Sequence, residues 1–154
     1  MYQKSDRLLF IALMLAILLH GSALLYNIDK TYDAFVHIFF ADHYALRWFD
    51  PWEFRWYTGF TVTSYPPLSH QLIALLSFVG GLKFGFAVVI LSALMFFVIG
   101  IYRFSQIWVS RRSAAYAAVF AVLASSIIQT IHIYGQLPTM VGISCLINAL
   151  PEIY

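Results

Sequence analysis

The chain has 154 residues, of which 62% are hydrophobic and 10% charged, with a mean hydropathy of +0.80. A water-soluble domain carries about 25% charged residues, so this composition excludes a chain that covers its own surface with polar groups. The net charge of +2 is too small to argue for nucleic acid, and the lone Cys145 supports neither a disulfide framework nor a metal site.

Lys4 and Arg7 open the chain and lead into Leu8–Tyr26, an unbroken apolar run without a charge. About 20 helical residues cross a hydrocarbon core, and this run is long enough to predict a transmembrane helix. Gly21-Ser22-Ala23 has the small residues of a signal-peptide cleavage site. The apolar run nevertheless continues through Leu24, Leu25 and Tyr26, which favours a retained span.

Phe84–Tyr102 and Ser113–Ile133 are of similar length, equally free of charge, and predict two more spans. Another apolar run begins at Met140 and predicts an incomplete span, and so a piece of a longer protein. Helix is the only open-chain answer in lipid, because each segment must satisfy its own amides. The expectation is one all-α, polytopic membrane domain over residues 1–154.

Lys4 and Arg7 before the first span, and Arg103, Arg111 and Arg112 between the next two, predict a cytoplasmic N-terminus in the cell membrane. Residues 27–83 then form a long extracytoplasmic loop. Within it Leu68–Gly80 is apolar but too short to cross, which predicts a juxtamembrane helix and not a span. His20 and His132, near span ends, read as hydrogen-bonded boundary histidines, and Gln129 as interhelical glue.

The loop carries five of the seven acids, Asp29, Asp33, Asp42, Asp50 and Glu53, with many aromatics, Trp48, Trp52 and Trp56 among them. Such aromatics predict a loop lying at the headgroup level. Residues 33–48 predict an amphipathic helix: Asp33, His37, Tyr44 and Arg47 fall on one arc, with Phe35, Phe39 and Leu46 opposite. Asp33 and His37 stand one turn apart and are within reach of each other. Asp50-Pro51, Gly59 and Tyr65-Pro66-Pro67 interrupt helix, and Pro67 suits the first turn of the next one.

A carboxylate at this height can accept a proton from a hydroxyl, which makes Asp33 the candidate base with His37 to position it. The plainer alternative is a solvated polar face. The pair could also share a divalent ion, though two ligands do not complete a site. Arg47 and Arg55 are candidate phosphate partners, because a guanidinium meets phosphate bidentately. Snorkelling to headgroups is their alternative.

The order of these features is itself informative. A basic start and a span precede Asp33-Ala34-Phe35-Val36-His37, then Trp52 and Trp56-Tyr57-Thr58-Gly59, then Tyr65-Pro66-Pro67-Leu68-Ser69-His70. A span ending in Arg103, the pair Arg111-Arg112, another span and Gly135-Gln136-Leu137-Pro138 follow. This resembles the N-terminal part of the GT-C superfamily of polytopic glycosyltransferases. The nearest are prokaryotic membrane proteins labelled "6-pyruvoyl-tetrahydropterin synthase-related", a label unconnected here with pterin chemistry.

The resemblance implies sugar transfer from a polyprenyl-phosphate-linked donor at the extracytoplasmic face, with inversion. It places the acid that follows the first span, Asp33, at the catalytic position, and His37 beside it. Arg47, Arg55, Trp52, Trp56, Tyr65 and His70 are then the residues expected to meet donor phosphate, sugar or lipid. Many members carry a second acid after the third span, whereas Tyr134–Thr139 offers Gln136 and Thr139 and no carboxylate. A divalent cation is therefore left unsupported. The competing expectation is a non-catalytic small membrane protein that packs against partner helices.

Overall fold

The computed structural model describes residues 4–154, with side chains from residue 7 onward. It is helical, with one two-stranded hairpin. Arg7–Lys30 and Pro67–Ser105 are long and apolar enough to cross a membrane. Arg111–Val122 and Ser125–Tyr134, bent by 41° at their junction, together make a third such stretch.

Helix α1 (Lys4–Leu15) continues through a π-helical turn at Ala16–Gly21 into α2 (Ser22–Asn27) and a closing 3-10 turn at Ile28–Lys30. The predicted span thus runs a turn further than Tyr26. Helix α3 (Ala34–Leu46) follows, within the predicted 33–48 stretch. Strands β1 (Trp52–Glu53) and β2 (Phe60–Thr61) pair antiparallel, a hairpin the sequence reading did not contain.

Helix α4 (Pro67–Ser105) is interrupted at Gly80 and Gly81. Gly81 takes φ 82° and ψ 172°, a region open to glycine alone. The chain folds back there. Residues 73 and 85 would stand about 18 Å apart on a straight helix. Instead a Cβ added to Gly85 would meet the Ile73 carbonyl oxygen at 2.6 Å. The arms are 67–79 and 82–105, so the predicted short helix at 68–80 exists as a separate unit. It lies back against the following arm.

The predicted single span at 113–133 is two pieces, α5 (Arg111–Val122) and α6 (Ser125–Ile128), the latter running into a second π-helical turn at Gln129–Tyr134. The break leaves the Val122 carbonyl without its helical partner. His20 supplies one, its Nε2–H donating to Val122 O at 2.9 Å. In apolar surroundings a bare carbonyl costs several kcal/mol, so this imidazole makes the break tolerable. Because His20 Nε2 must donate, its Nδ1 accepts, and His132 Nε2–H donates to it at 2.9 Å. Both histidines sit in π-helical turns, whose extra residue rotates the side chains toward each other.

Helix α7 (Leu137–Ile153) closes the bundle against the 82–105 arm. Gly100 permits the approach, since a Cβ there would sit 2.6 Å from the Asn148 amide nitrogen. Asn148 donates to the Phe96 carbonyl at 2.8 Å, a polar lock between two apolar helices. The core below is Phe86, Ile90, Leu94, Val98, Leu137 and Met140.

Gly81 and Gly142 both have open space where a Cβ would go, but only Gly81 has positive φ. Gly81→Ala should therefore cost about 1–3 kcal/mol through backbone strain alone. Gly142→Ala, in regular helix, should be neutral or stabilising by up to about 1 kcal/mol. Unfolding of both variants in detergent micelles checks the contrast.

Candidate functional site

Helix α3 is the element that positions the site. The middle of its polar stripe, His37 and Tyr44, faces inward, not toward solvent as amphipathicity at a water boundary predicts. His37 and Tyr44 are buried with Phe40 and Ala41, while Phe35 and Leu46 are exposed. The inversion has a physical cause: the 67–79 arm covers that face, packing His70, Ile73 and Ala74 against it with Val62 wedged alongside.

The start of α3 is fixed by the end of the 125–134 helix. The amides of Tyr32 and Asp33 donate to the carbonyls of Ile133 and Tyr134 at 3.0 and 2.9 Å. Thr31 Oγ1 accepts from the Ala34 amide at 3.2 Å. Gly135, at φ 67°, turns directly beneath: a Cβ on it would strike Thr31 Oγ1 at 2.7 Å. Orphan amides at one helix start thus meet orphan carbonyls at another helix end.

This junction creates a cavity of about 140 Å³ lined by Asp33, His37, Tyr65, Gln136, Pro138 and Thr139. The structure therefore brings together Asp33, His37 and Tyr65 with Gln136 at the N-cap of α7 and Thr139 in its first turn. Asp33 occupies the N-cap position of α3 without capping it, and its carboxylate makes no hydrogen bond among the described residues. It is half-buried and free to accept one from a ligand.

Asp33 and His37, within reach of each other by spacing, line the same cavity, and no hydrogen bond joins them among the described residues. His37 Nδ1 instead pairs with His70 Nε2 at 3.0 Å, and the two rings stack with centroids 5.2 Å apart. The Tyr65 ring meets His37 edge-on at 5.5 Å. Burial pushes the His37 imidazole down to about 4, so it is neutral at physiological pH. His70, expected to touch substrate, is fully buried and stands behind His37.

Arg47 and Arg55 are elsewhere. Asp33 and Arg47 stand at opposite ends of α3, about 20 Å apart along its axis. Arg55 donates to both oxygens of Glu53, at 2.7–3.0 Å, and to Asp42. Arg47 reaches Asp50 at 3.4 Å and lies 4.2 Å over the Phe54 ring. Both line a separate cleft with His43 and Glu53, and their charge is already engaged. Trp52 and Trp56 belong to the same region: Trp52 lies flat against Gly59, and Trp56 stacks on Tyr57 at 5.7 Å.

Glu53 is the residue that sequence reasoning passed over. It is 1% exposed, held by Arg55 and by His43 Nδ1 at 3.0 Å. His43 Nε2 pairs with the Asp50 carbonyl at 2.6 Å, so the ring is held between two oxygen partners. The available signal was an acid and an arginine two positions apart in an otherwise aromatic stretch.

One carboxylate and one imidazole at the Asp33 cavity fall short of a divalent-cation site. Among the described residues no three of His, Cys, Asp and Glu converge elsewhere as a metal-holding group.

The Arg55 side chain holds Glu53 down to about 2, against the upward push of burial, with the Arg55 amide and His43 adding to the effect. The folded value lies below the ordinary 4.5, so this stabilisation is complete above about 4.5 and is lost as pH falls toward 2. Glu53→Gln should cost about 1–3 kcal/mol, since a neutral amide replaces the carboxylate between Arg55 and His43 while Arg55 keeps Asp42. Limited proteolysis of the 50–62 hairpin should be fast in the variant at neutral pH and in the parent only under acid.

Compared with known proteins, the chain matches no family model, no curated protein and no solved structure.

Proposed function

We propose that this chain is the N-terminal portion of a membrane glycosyltransferase that takes a sugar from a polyprenyl-phosphate-linked donor, with Asp33 as its base. The observation that carries the reading is the cavity joining Asp33 and Tyr65 to Gln136 and Thr139. It contains an unengaged carboxylate amid hydroxyl and amide groups, a set suited to a sugar or an acceptor alcohol.

In the proposed step Asp33 takes the proton of the acceptor hydroxyl as its oxygen attacks the anomeric carbon. The phosphate leaves from the opposite face with the bonding electrons, so configuration inverts. Arg47 and Arg55 have no part in it. The proposed topology is multi-pass, with loop 27–83 extracytoplasmic. Support comes from the bonds between Tyr32–Asp33 and Ile133–Tyr134, which put the start of the 27–83 loop and the turn at Gly135 at one end of the helices. Arg103, Arg111 and Arg112 belong to the connector between the two later spans.

The competing reading is a non-catalytic membrane protein that packs against partner helices. It draws on the large exposed apolar side chains of the bundle, Phe10, Leu18, Leu25 and Phe120 among them.

The test is sugar transfer from a polyprenyl-phosphate-linked hexose in membranes carrying the full reading frame. Asp33→Asn should reduce the rate at least about 100-fold, the scale of a general base. Arg55→Ala should act on hairpin stability and leave the rate per folded molecule within a few-fold. Undiminished transfer by folded Asp33→Asn would remove Asp33 as the base, and no transfer by the parent would favour the packing role.

A further inference from the structure

A groove runs along the outside of the bundle between the 7–30 helix and the 82–105 arm. Its head is a crevice of about 260 Å³ walled by Leu25, Tyr26, Ile28 and Phe84 together with the charged Asp29 and Lys83. Its tail is a furrow of about 370 Å³ that reaches Ile17 on one helix and Leu91 on the other. Leu25, Phe84 and Ala87 line both, so the two form one continuous surface. Gly21, Ser22 and Ala87 contribute little side chain and leave the space open.

The furrow carries no charged residue. From Asp29 to Ile17 is about 18 Å of helical rise, and from Lys83 to Leu91 about 12 Å. Half of a hydrocarbon core is about 15 Å, so the groove is one leaflet deep. At its head Lys83 Nζ lies 2.6 Å from Asp29 Oδ1 and 5.6 Å over the Phe35 ring, and both charged side chains are more than half exposed. Tyr26 beside them is exposed too, as suits the headgroup level. An exposed ion pair is weakly held and opens readily to a competitor. The ammonium still has N–H groups to give, and the carboxylate a second oxygen to accept with.

We propose that this groove binds one phospholipid with an amine-bearing zwitterionic headgroup, of the phosphatidylethanolamine class. Its phosphate meets Lys83, its ammonium meets Asp29, and an acyl chain lies along the furrow toward Ile17 and Leu91. The charge pair selects the class. Phosphatidylglycerol or a polyprenyl phosphate brings negative charge alone, which the Asp29 carboxylate repels. A choline head brings a cation with no N–H to give. A partner helix would run past the pair and bury both charges, which is costly, and would need a furrow across both leaflets. The site rests on these helices crossing a membrane and not on the glycosyl-transfer reading, and it shares no lining residue with the Asp33 cavity. Under the topology proposed above, the leaflet is the outer one.

The experiment places the full chain in nanodiscs of phosphatidylcholine, phosphatidylethanolamine, phosphatidylglycerol and polyprenyl phosphate in equal parts. Native mass spectrometry then reads the lipid retained after release into mild detergent. One phosphatidylethanolamine per chain should be retained, enriched about fivefold over each of the others, the scale of one ionic contact at a membrane surface. The double variant Asp29→Asn, Lys83→Gln should level the classes and keep a lipid bound. Ser22→Phe, which fills the furrow from an exposed position, should remove retained lipid of every class, and Ser22→Ala should keep it. Helical circular dichroism and a single elution peak establish that each variant is folded; if Ser22→Phe does not fold, the charge variant decides alone. Enrichment of either anionic lipid, equal retention of all four by the parent, or no retained lipid would overturn the site. So would a class preference that survives loss of both charges, or undiminished retention by folded Ser22→Phe. Normal sugar transfer by folded Asp33→Asn would remove the base and leave the lipid site standing.

Discussion

Everything at the candidate site hangs on the meeting of two helix ends. A helix that stops leaves carbonyls without partners, and a helix that starts leaves amides without partners. Here the carbonyls of Ile133 and Tyr134 receive the amides of Tyr32 and of Asp33 at the N-cap of α3, so the end of one helix is tied to the entry of the other. No side chain is needed for the exchange, and Asp33 keeps both carboxylate oxygens for other use. The glycine at 135 is what lets the backbones approach, because Thr31 already occupies the space a Cβ would need. Geometry that would otherwise depend on a flexible loop is thereby tied to the bundle.

The same rule explains the broken helix behind that junction. Splitting 111–134 at Leu123–Ala124 frees the Val122 carbonyl, and His20 on the neighbouring helix caps it. His132 then completes the chain of donation from the far side of the break. The bend of 41° is thus held by side chains from two helices and is not a point of slack. It also directs the 125–134 piece toward the start of α3. A straight helix would carry Ile133 and Tyr134 along a different line, away from Tyr32 and Asp33.

How much of this the sequence discloses depends on whether the cause is local. The apolar runs at 8–26 and 84–102 are visible because length and lack of charge define them. So is the stop near Gly80, where the apolar run gives way to two adjacent glycines, which disfavour helix. The break at 123–124 is invisible: nothing from Ser113 to Ile133 is Pro or Gly, and the partner that permits the break lies far earlier in the chain. Helix α3 is a mixed case. Its periodicity correctly groups His37 with Tyr44, but periodicity carries no sign. Which face turns inward was decided by the 67–79 arm, and the hint lay in His70, a second buried-type histidine following Pro66-Pro67. The hairpin escaped for want of length, since two-residue strands leave no alternating pattern. Asp33 stands out in the sequence because its place after the first apolar run is a local fact, while its separation from Arg47 follows only from the helix between them.

That helix also divides the loop into two kinds of chemistry. At its C-terminal end His43, Glu53, Arg55 and Asp42 satisfy one another, with acceptors and donors matched and Glu53 sealed from solvent. A closed network of this kind rigidifies what surrounds it, and a ligand entering it would have to break bonds already made. At the N-terminal end the matching is incomplete: a carboxylate without a partner, an imidazole nitrogen facing a cavity, and an amide and a hydroxyl from another turn nearby. Asp33 is only half-buried, so its carboxylate stays open to water or to a ligand without the penalty of a sealed charge. The rigid end fixes the helix, and the fixed helix holds the open end in register with Gln136 and Thr139. The capacity to bind belongs to the end that the rest of the loop leaves unfinished.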